Sequence, residues 1–309
     1  MSGWDRTNVG RVVRVCVVGS VNVDQIFTVA ALPRPGETVL AESTRSVPGG
    51  KGGNQAVAAA RAGARVQLVA ALGTDPAAGE LRAHLARNGV GVDGVVSVPG
   101  NSGSAVIVVD AAAENTIVVA PGANSHLTMD SAELRRVVAD TDVLLLQLEI
   151  PIATAVAAAR VARLAGATVI VNASPAGADP AGLPDLAAST DVVVINESEA
   201  PGWRWPVPHL VITRGARGAT YIGADGEFAV PSPAVEAIDT TGAGDVFAGV
   251  LAASWPGNSD PVPTSPAQRL LALQRACAAG ALATLVVGAG DCAPGEEAID
   301  DAVTQGDRT

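Results

Sequence analysis

Short runs of Val, Leu and Ile recur along the chain at 14–19, 66–71, 142–147, 168–172, 191–195 and 209–213. None alternates cleanly with polar residues, so each predicts a strand covered on both faces, as in a parallel sheet. Ala-rich stretches at 54–62, 76–88 and 151–165 lie between them, and that composition favours helix. Asp75-Pro76 marks one helix start, a capping side chain followed by Pro in the first turn. The alternation predicts an α/β fold with a doubly wound, mostly parallel central sheet flanked by helices. Two regions depart from it, 23–40 and 95–120, and in the second Ser104–Asp110 and Asn115–Ala120 flank a turn. Both predict antiparallel β-pieces outside the main sheet.

Between Glu199 and the run at Leu210 the chain reads Ala-Pro-Gly-Trp-Arg-Trp-Pro-Val-Pro-His. Three prolines and a glycine exclude a regular helix there and predict a short connection covered by Trp203 and Trp205. A second Pro-rich stretch, Pro256–Pro266, predicts an exposed loop between two long helices. The expected organisation is a tail over 1–13 and one domain over 14–304, with 1–10 and 304–309 frayed.

Composition narrows the function. A chain of 309 residues that is 48% hydrophobic can bury one large core or two smaller ones. A net charge of −11 without any basic run argues against a nucleic-acid partner. Cys16, Cys277 and Cys292 lack paired spacing, which predicts reduced thiols and a cytoplasmic location. The apolar stretch 12–32 is interrupted by Arg14, Asn22, Asp24 and Gln25, so neither a signal peptide nor a membrane span is expected. Without a secretion signal, the sequon Asn196-Glu197-Ser198 is set aside. His84, His126 and His209 are scattered and lack metal-ligand spacing.

Two glycine clusters carry the chemistry. Residues 239–245 read Asp-Thr-Thr-Gly-Ala-Gly-Asp, ahead of an apolar, Ala-rich stretch from Val246. Helix-opening amides carry partial positive charge and lack internal partners. Those of Gly242, Ala243 and Gly244 therefore suit a phosphate or a developing phosphoryl charge. Asp245 would repel phosphate, yet beside such an anion hole it can take a proton from an attacking hydroxyl. Taken alone, the segment reads equally well as a Gly-rich turn before a helix. The second cluster, Gly49-Gly50-Lys51-Gly52-Gly53-Asn54, precedes a helix-forming run and holds the only lysine of the chain. Neither cluster is a G-x-x-x-x-G-K-[ST] loop or a clean G-x-G-x-x-G, which argues against a dinucleotide oxidoreductase.

In this order and spacing, the two clusters resemble the signatures of the ribokinase (PfkB-type carbohydrate kinase) family. Further pieces match: Gly19-Ser20-Val21-Asn22-Val23-Asp24, Pro35-Gly36-Glu37-Thr38, Gln147-Leu148-Glu149, Asn196-Glu197-Ser198-Glu199 and Thr213-Arg214-Gly215-Ala216-Arg217-Gly218. The likeness runs from about Val15 to about Ala302.

The resemblance implies a ribokinase-like fold in which the β-pieces at about 23–40 and 95–120 form a lid over the sugar, with a homodimer through that lid. It implies ATP-dependent phosphorylation of D-ribose at the 5-hydroxyl, with Asp245 as general base. Sugar contacts would come from Asn22, Asp24, Gly50, Lys51, Asn54 and Glu149, a set whose carboxylates, amides and single ammonium suit an uncharged polyol. Nucleotide contacts would come from Asn196, Thr213, Arg214, Gly215, Ala216, Arg217, Gly218 and Gly244, with Cys277 near the adenine or merely packed in a helix. Glu199 would orient Mg²⁺ through water. Potassium would sit beside the anion hole, on Asp239, Thr241, Ala283, Val286, Gly288 and Cys292. At the last of these a thiol, a poor ligand for a hard cation, replaces the hydroxyl that relatives often carry.

The lid offers mainly Arg34 and Arg45 where a sugar phosphate would want several cations, and Phe27 is the only aromatic of the first lid segment where a nucleoside would want stacking partners. A kinase of the same fold for deoxyribose, a ketohexose or a nucleoside remains an alternative. A non-catalytic sugar sensor is a further one, whose mark would be loss of Asp245 or of the glycines.

Overall fold

The computed structural model describes residues 12–112, 114–177, 180–224, 226–256 and 265–306. The 1–13 tail and the Pro256–Pro266 loop therefore lie mostly outside the described residues.

In chain order the elements begin with β1 (Arg14–Val18), β2 (Asn22–Thr28), β3 (Ser43–Gly49), α1 (Lys51–Arg61), β4 (Arg65–Leu72), α2 (Pro76–Arg87) and β5 (Val90–Ser97). Next come β6 (Gly103–Val109), β7 (Asn115–Ala120), α3 (Ala132–Ala139), β8 (Val143–Leu146), α4 (Ile152–Leu164) and β9 (Thr168–Asn172). The remainder is α5 (Leu183–Ala187), β10 (Val192–Asn196), β11 (His209–Thr213), β12 (Ala219–Gly223), β13 (Gly226–Val230), α6 (Ala243–Ser254), α7 (Pro266–Ala283) and α8 (Glu296–Gly306). Among these helices none is long and apolar enough to cross a membrane.

A nine-stranded sheet runs β13-β12-β11-β10-β9-β8-β1-β4-β5. Its strands are parallel from β11 to β5, and β12 and β13 add an antiparallel edge. Both faces are covered, as the continuous apolar runs require. Val15 and Val17 of β1 point into the layer that includes Val57, Leu85, Leu251 and Leu273 from α1, α2, α6 and α7. Cys16 and Val18, one residue out of phase, point into the layer with Leu134, Val138 and Ala159 from α3 and α4. This is the ribokinase-like α/β architecture.

A separate four-stranded sheet, β3-β2-β6-β7, stands outside it. Its β2–β3 and β6–β7 pairs are antiparallel, whereas β2 and β6 run parallel. The first lid segment is displaced from its expected bounds: its second strand is β3 at 43–49, beyond residue 40. The run Ser-Thr-Arg-Ser-Val-Pro-Gly has little strand propensity of its own, and register with β2 defines it, Asn22 opposite Gly49 and Thr28 opposite Ser43.

Helix α1 starts at Lys51, three residues before the expected 54, and so takes in Gly52 and Gly53. Helix propensity disfavours both, but a Cβ on Gly52 would lie 2.7 Å from the backbone of Gly19 and Ser20. Close approach of α1 to the end of β1 demands a glycine there. The 200–209 connection is short, a helical turn at Ala200–Gly202 followed by extended chain. Trp203 and Trp205 cover it edge to face at 5.4 Å, and the Trp203 indole N–H donates to the carbonyl of Trp205 at 2.8 Å.

Candidate active site

The polar segments of interest follow the carboxyl ends of parallel strands: 19–22 after β1, 147–149 after β8, 172–174 after β9, 196–199 after β10 and 213–218 after β11. This is where open parallel sheets place ligands. Helix α6 adds its amino terminus, and one cleft of about 140 Å³ is lined by Lys51, Asn172, Ser174, Asn196, Glu199, Thr213, Gly242, Gly244 and Asp245, among others.

Asp245 is buried in the first turn of α6, and both its carboxylate oxygens are held. Oδ2 accepts from the Asn54 amide and Oδ1 from the Gln55 amide, each at 3.0 Å. Gln55 is oriented in turn, because its Oε1 accepts from Gln147 Nε2 at 2.8 Å. The Asp245 carboxylate is thus fixed by side chains of α1 and the end of β8. Asn54, expected on the sugar, is turned to Asp245.

Gly242 precedes α6 with φ of 81°, a left-handed conformation that glycine adopts without strain. A Cβ there would lie 2.8 Å from Ala289 Cα and 3.1 Å from Cys292 Sγ, so the turn is also packed from behind. A Cβ on Gly244 would meet nothing within 4 Å, so space is open beside it. The Ala243 amide bends back to the Thr240 carbonyl at 3.3 Å. Of the amides expected to form an anion hole, that of Ala243 is thus engaged by a long internal bond.

Lys51 opens α1 half-buried, and its ammonium is favoured above the usual lysine range. The charge of Asp245 is the largest cause; burial opposes it, while Glu149 and Glu199 add to it. Glu149 Oε2 accepts from the Lys51 amide at 3.1 Å and from the Ser20 hydroxyl at 2.5 Å, which makes it a cap for α1. Gly50, just before, has φ of 86° and leaves no room for a Cβ, which would approach Asn22 N to 2.7 Å.

Asn22 and Asp24 share one face of β2. Asn22 Oδ1 accepts from Asn124 Nδ2 at 2.8 Å. Asp24 is only 8% exposed, and its Oδ1 has no partner. Burial raises its pKa to about 7, with further contributions from the charges of Glu149 and Asp245. The flanking glycines make space for the pair: a Cβ on Gly49 would lie 2.1 Å from Asp24 Oδ2, and one on Gly103 would lie 2.2 Å from Asn22 Oδ1. A buried polar atom without a partner is costly, and a ligand hydroxyl would satisfy it.

On the nucleotide side, Thr213 and Asn196 reach the cleft. Gly215 and Gly218 take positive φ in the turn between β11 and β12, and Ala216 between them is exposed. The guanidinium groups of Arg214 and Arg217 pair with Glu197 at 2.7 and 2.5 Å, and Arg214 also donates to Thr220. Cys277 is buried in α7 with its thiol on the Val230 carbonyl, and burial pushes it up to about 12. In this setting it is core packing.

The residues fit hard cations unequally. Glu199 Oε1 accepts from the Ser174 hydroxyl and the Ala176 amide, and Oε2 accepts from Asn196. The remaining acceptor capacity of this cleft-lining carboxylate suits a metal-bound water. Asp239 accepts from the amides of Thr241 and Gly288, both at 2.9 Å. Burial works against its charge, but these bonds hold it below the usual carboxylate range. It is an anion beside the loop that follows α7, where Ala283 ends the helix, Val286 is exposed and Gly288 has positive φ. Cys292 faces the Ala289 and Thr241 carbonyls, its thiol pushed up to about 11 by burial. A neutral thiol adds little to a site for a monovalent cation. Among the described residues no cluster of three or more His, Cys, Asp or Glu forms a metal site.

Three residues with structural weight here carried no assigned role in the sequence. Gln147 stood inside a recognised motif. Gln55 stands at the head of an alanine-rich run, four residues after Lys51. Asn124 offered no local signal.

The pfkB family carbohydrate kinase model matches residues 13–204 and 206–296, and the chain belongs to that family. Within it the chain is a sugar kinase of the ribokinase type. It is 35% identical over 257 residues to the ribokinase of Bacillus subtilis, covering 80% of this chain and 87% of that protein. It is 31% identical over 318 residues to a bifunctional ribokinase/ribose-5-phosphate isomerase A of Fructilactobacillus sanfranciscensis, matching 96% of this chain but spanning only 57% of that longer protein. The fold is similar to that of the Arabidopsis thaliana ribokinase solved with ribose and ATP, with a TM-score of 0.82, 26% identity, and 95% and 99% of the two chains covered.

Proposed function

We propose that this enzyme transfers the γ-phosphoryl group of ATP to the 5-hydroxyl of D-ribose, giving D-ribose 5-phosphate and ADP. The observation that carries the reading is the buried Asp245 carboxylate, fixed by Asn54 and Gln55 at the amino terminus of α6. Asp245 takes the hydroxyl proton while the new O–P bond forms and the bond to the β-phosphate oxygen breaks. The start of α6 and the Lys51 ammonium stabilise the charge on the transferring group, the main task in phosphoryl transfer. Asn22, Asp24 and the cavity around Asn124 receive the sugar hydroxyls. Glu149 acts through Lys51, whose amide it caps, and Thr213 and Asn196 line the nucleotide end. Mg²⁺ carried on the nucleotide phosphates would neutralise charge there, near Glu199. A dimer through the small sheet is supported by the exposed Ile117, Val118 and Val119 of β7. A cytoplasmic location is supported by three buried free thiols.

The test is ATP-dependent phosphorylation across ribose, 2-deoxyribose, fructose, adenosine and pseudouridine, in potassium buffer with Mg²⁺. Preference for ribose is expected. Preference for another acceptor would keep the catalytic roles and overturn the sugar assignment, and turnover of none would favour the sensor reading.

Potassium beside the anion hole, held by Asp239 and loop carbonyls, would tune the field at Gly242. Activity in potassium chloride is therefore expected to exceed that in sodium chloride at equal ionic strength. Equal rates in the two salts would remove the cation from the reading.

A further inference from the structure

Arg61, the last residue of α1, makes five hydrogen bonds that none of the roles above uses. Its Nη1 donates to the carbonyls of Asp291 and Ala293, both at 2.8 Å. Its Nη2 donates to Asn88 Oδ1 at 2.7 Å and to Asp291 Oδ1 at 3.1 Å, and Nε to Asn88 Oδ1 at 3.1 Å. Asn88 is itself held, donating to the His84 carbonyl at 3.0 Å.

The two backbone carbonyls bracket Cys292. That residue and Ala289 form the wall behind Gly242, within 3.1 Å of where a Cβ would stand. The same loop meets the anion-hole segment twice more. Gly288 donates to Asp239, and the Cys292 thiol faces the Thr241 carbonyl. On its far side Gly290 leaves no room for a Cβ against the Pro48 carbonyl, 2.4 Å away, at the sugar end of β3. One helix therefore holds both halves of the reacting geometry. Its first turns carry Asn54 and Gln55, which fix the base, and its last residue fixes the loop that props the left-handed turn of the anion hole.

We propose that Arg61 is a positioning residue for phosphoryl transfer, setting the anion hole at Gly242–Gly244 through the 288–293 loop. The proposal rests on the kinase reading above. Its planar fork matters because it reaches two carbonyls and two side chains at once, which a single ammonium cannot do.

The experiment compares Arg61→Met and Arg61→Lys with the parent. Displacing transition-state donors by a fraction of an ångström is expected to lower kcat roughly 10–100-fold in Arg61→Met, with the sugar KM within about twofold. Arg61→Lys is expected to fall between. Site-resolved thiol labelling reads the loop without any substrate. Cys292 is expected to react about tenfold or more faster in Arg61→Met, while Cys16 and Cys277, both deep in the core, stay slow. Faster labelling at all three would mean global unfolding, and Arg61→Lys then supplies the comparison. Unchanged labelling of Cys292 in a folded variant, or a KM rise with kcat preserved, would overturn the proposal. A parent inactive on every acceptor would sink the kinase reading, and the labelling would still decide whether Arg61 holds the loop.

Discussion

Asp245→Asn is expected to lower turnover by roughly 10²–10⁴-fold, the contribution of a general base. The geometry adds a second consequence. Both carboxylate oxygens accept from amide groups, Asn54 on one side and Gln55 on the other. An asparagine presents one oxygen and one NH₂, so a donor meets a donor unless the Asn54 amide turns over to present its oxygen. Gln55 turns over only together with Gln147, from whose Nε2 its oxygen accepts. Where those turns are blocked, one unsatisfied buried donor costs about 1–3 kcal/mol, and the variant melts below the parent. Rate and melting temperature must be measured together. A folded variant with near-parental kcat would remove Asp245 from its role as base. Loss of rate explained by unfolding at the assay temperature would show in the melt.

Asp24→Asn is expected to give a more stable protein that binds sugar poorly. The folded protein raises the carboxyl from 3.8 to about 7, so it holds the proton more tightly than the unfolded chain does. The stability this group contributes is whole below 3.8 and is lost as pH rises through about 7. Above that, the ionised carboxylate costs a few kcal/mol, at about 1.4 kcal/mol for each tenfold in proton affinity. Asparagine carries no charge to bury. Its melting temperature should exceed the parent's at pH 8, with the gap narrowing towards pH 5. Sugar KM should rise roughly 10–100-fold, the worth of a hydrogen bond to a charged acceptor. In the parent, the same KM should climb as pH falls below 7, when Asp24 becomes protonated. A parental KM that stays flat from pH 8 to pH 5 would exclude Asp24 as a sugar ligand.

The parts of the molecule that were legible beforehand are those whose cause is local. Apolar runs such as 168–172 declared buried parallel strands because nothing in them could face water. The prolines of 200–209 ruled out a helix wherever that segment lay. Asp-Thr-Thr-Gly-Ala-Gly-Asp declared a helix start, and α6 begins within it at Ala243. What could not be read depends on distant partners. Helix α1 begins early because a carboxylate 98 residues away caps the Lys51 amide. Strand β3 exists through its pairing with β2. The bond from Asn54 to Asp245 spans 191 residues, and nothing near Asn54 in the sequence announces it. Gln55, Asn124 and Arg61 are ordinary residues in sequence, and only the closure of the fold gives them neighbours.

Lys51 has a consequence beyond the reaction. It carries the only side-chain amine of the chain, it is half-buried in the cleft, and Asp245 holds it in the protonated form. Acylating reagents and acetyl donors attack the neutral amine, so at neutral pH this protein offers them almost no side-chain target. When they do succeed, the adduct sits in the cleft that Gly242, Gly244 and Asp245 also line. If Lys51 serves the transferring group as proposed, lysine acylation and inactivation of this chain are the same event.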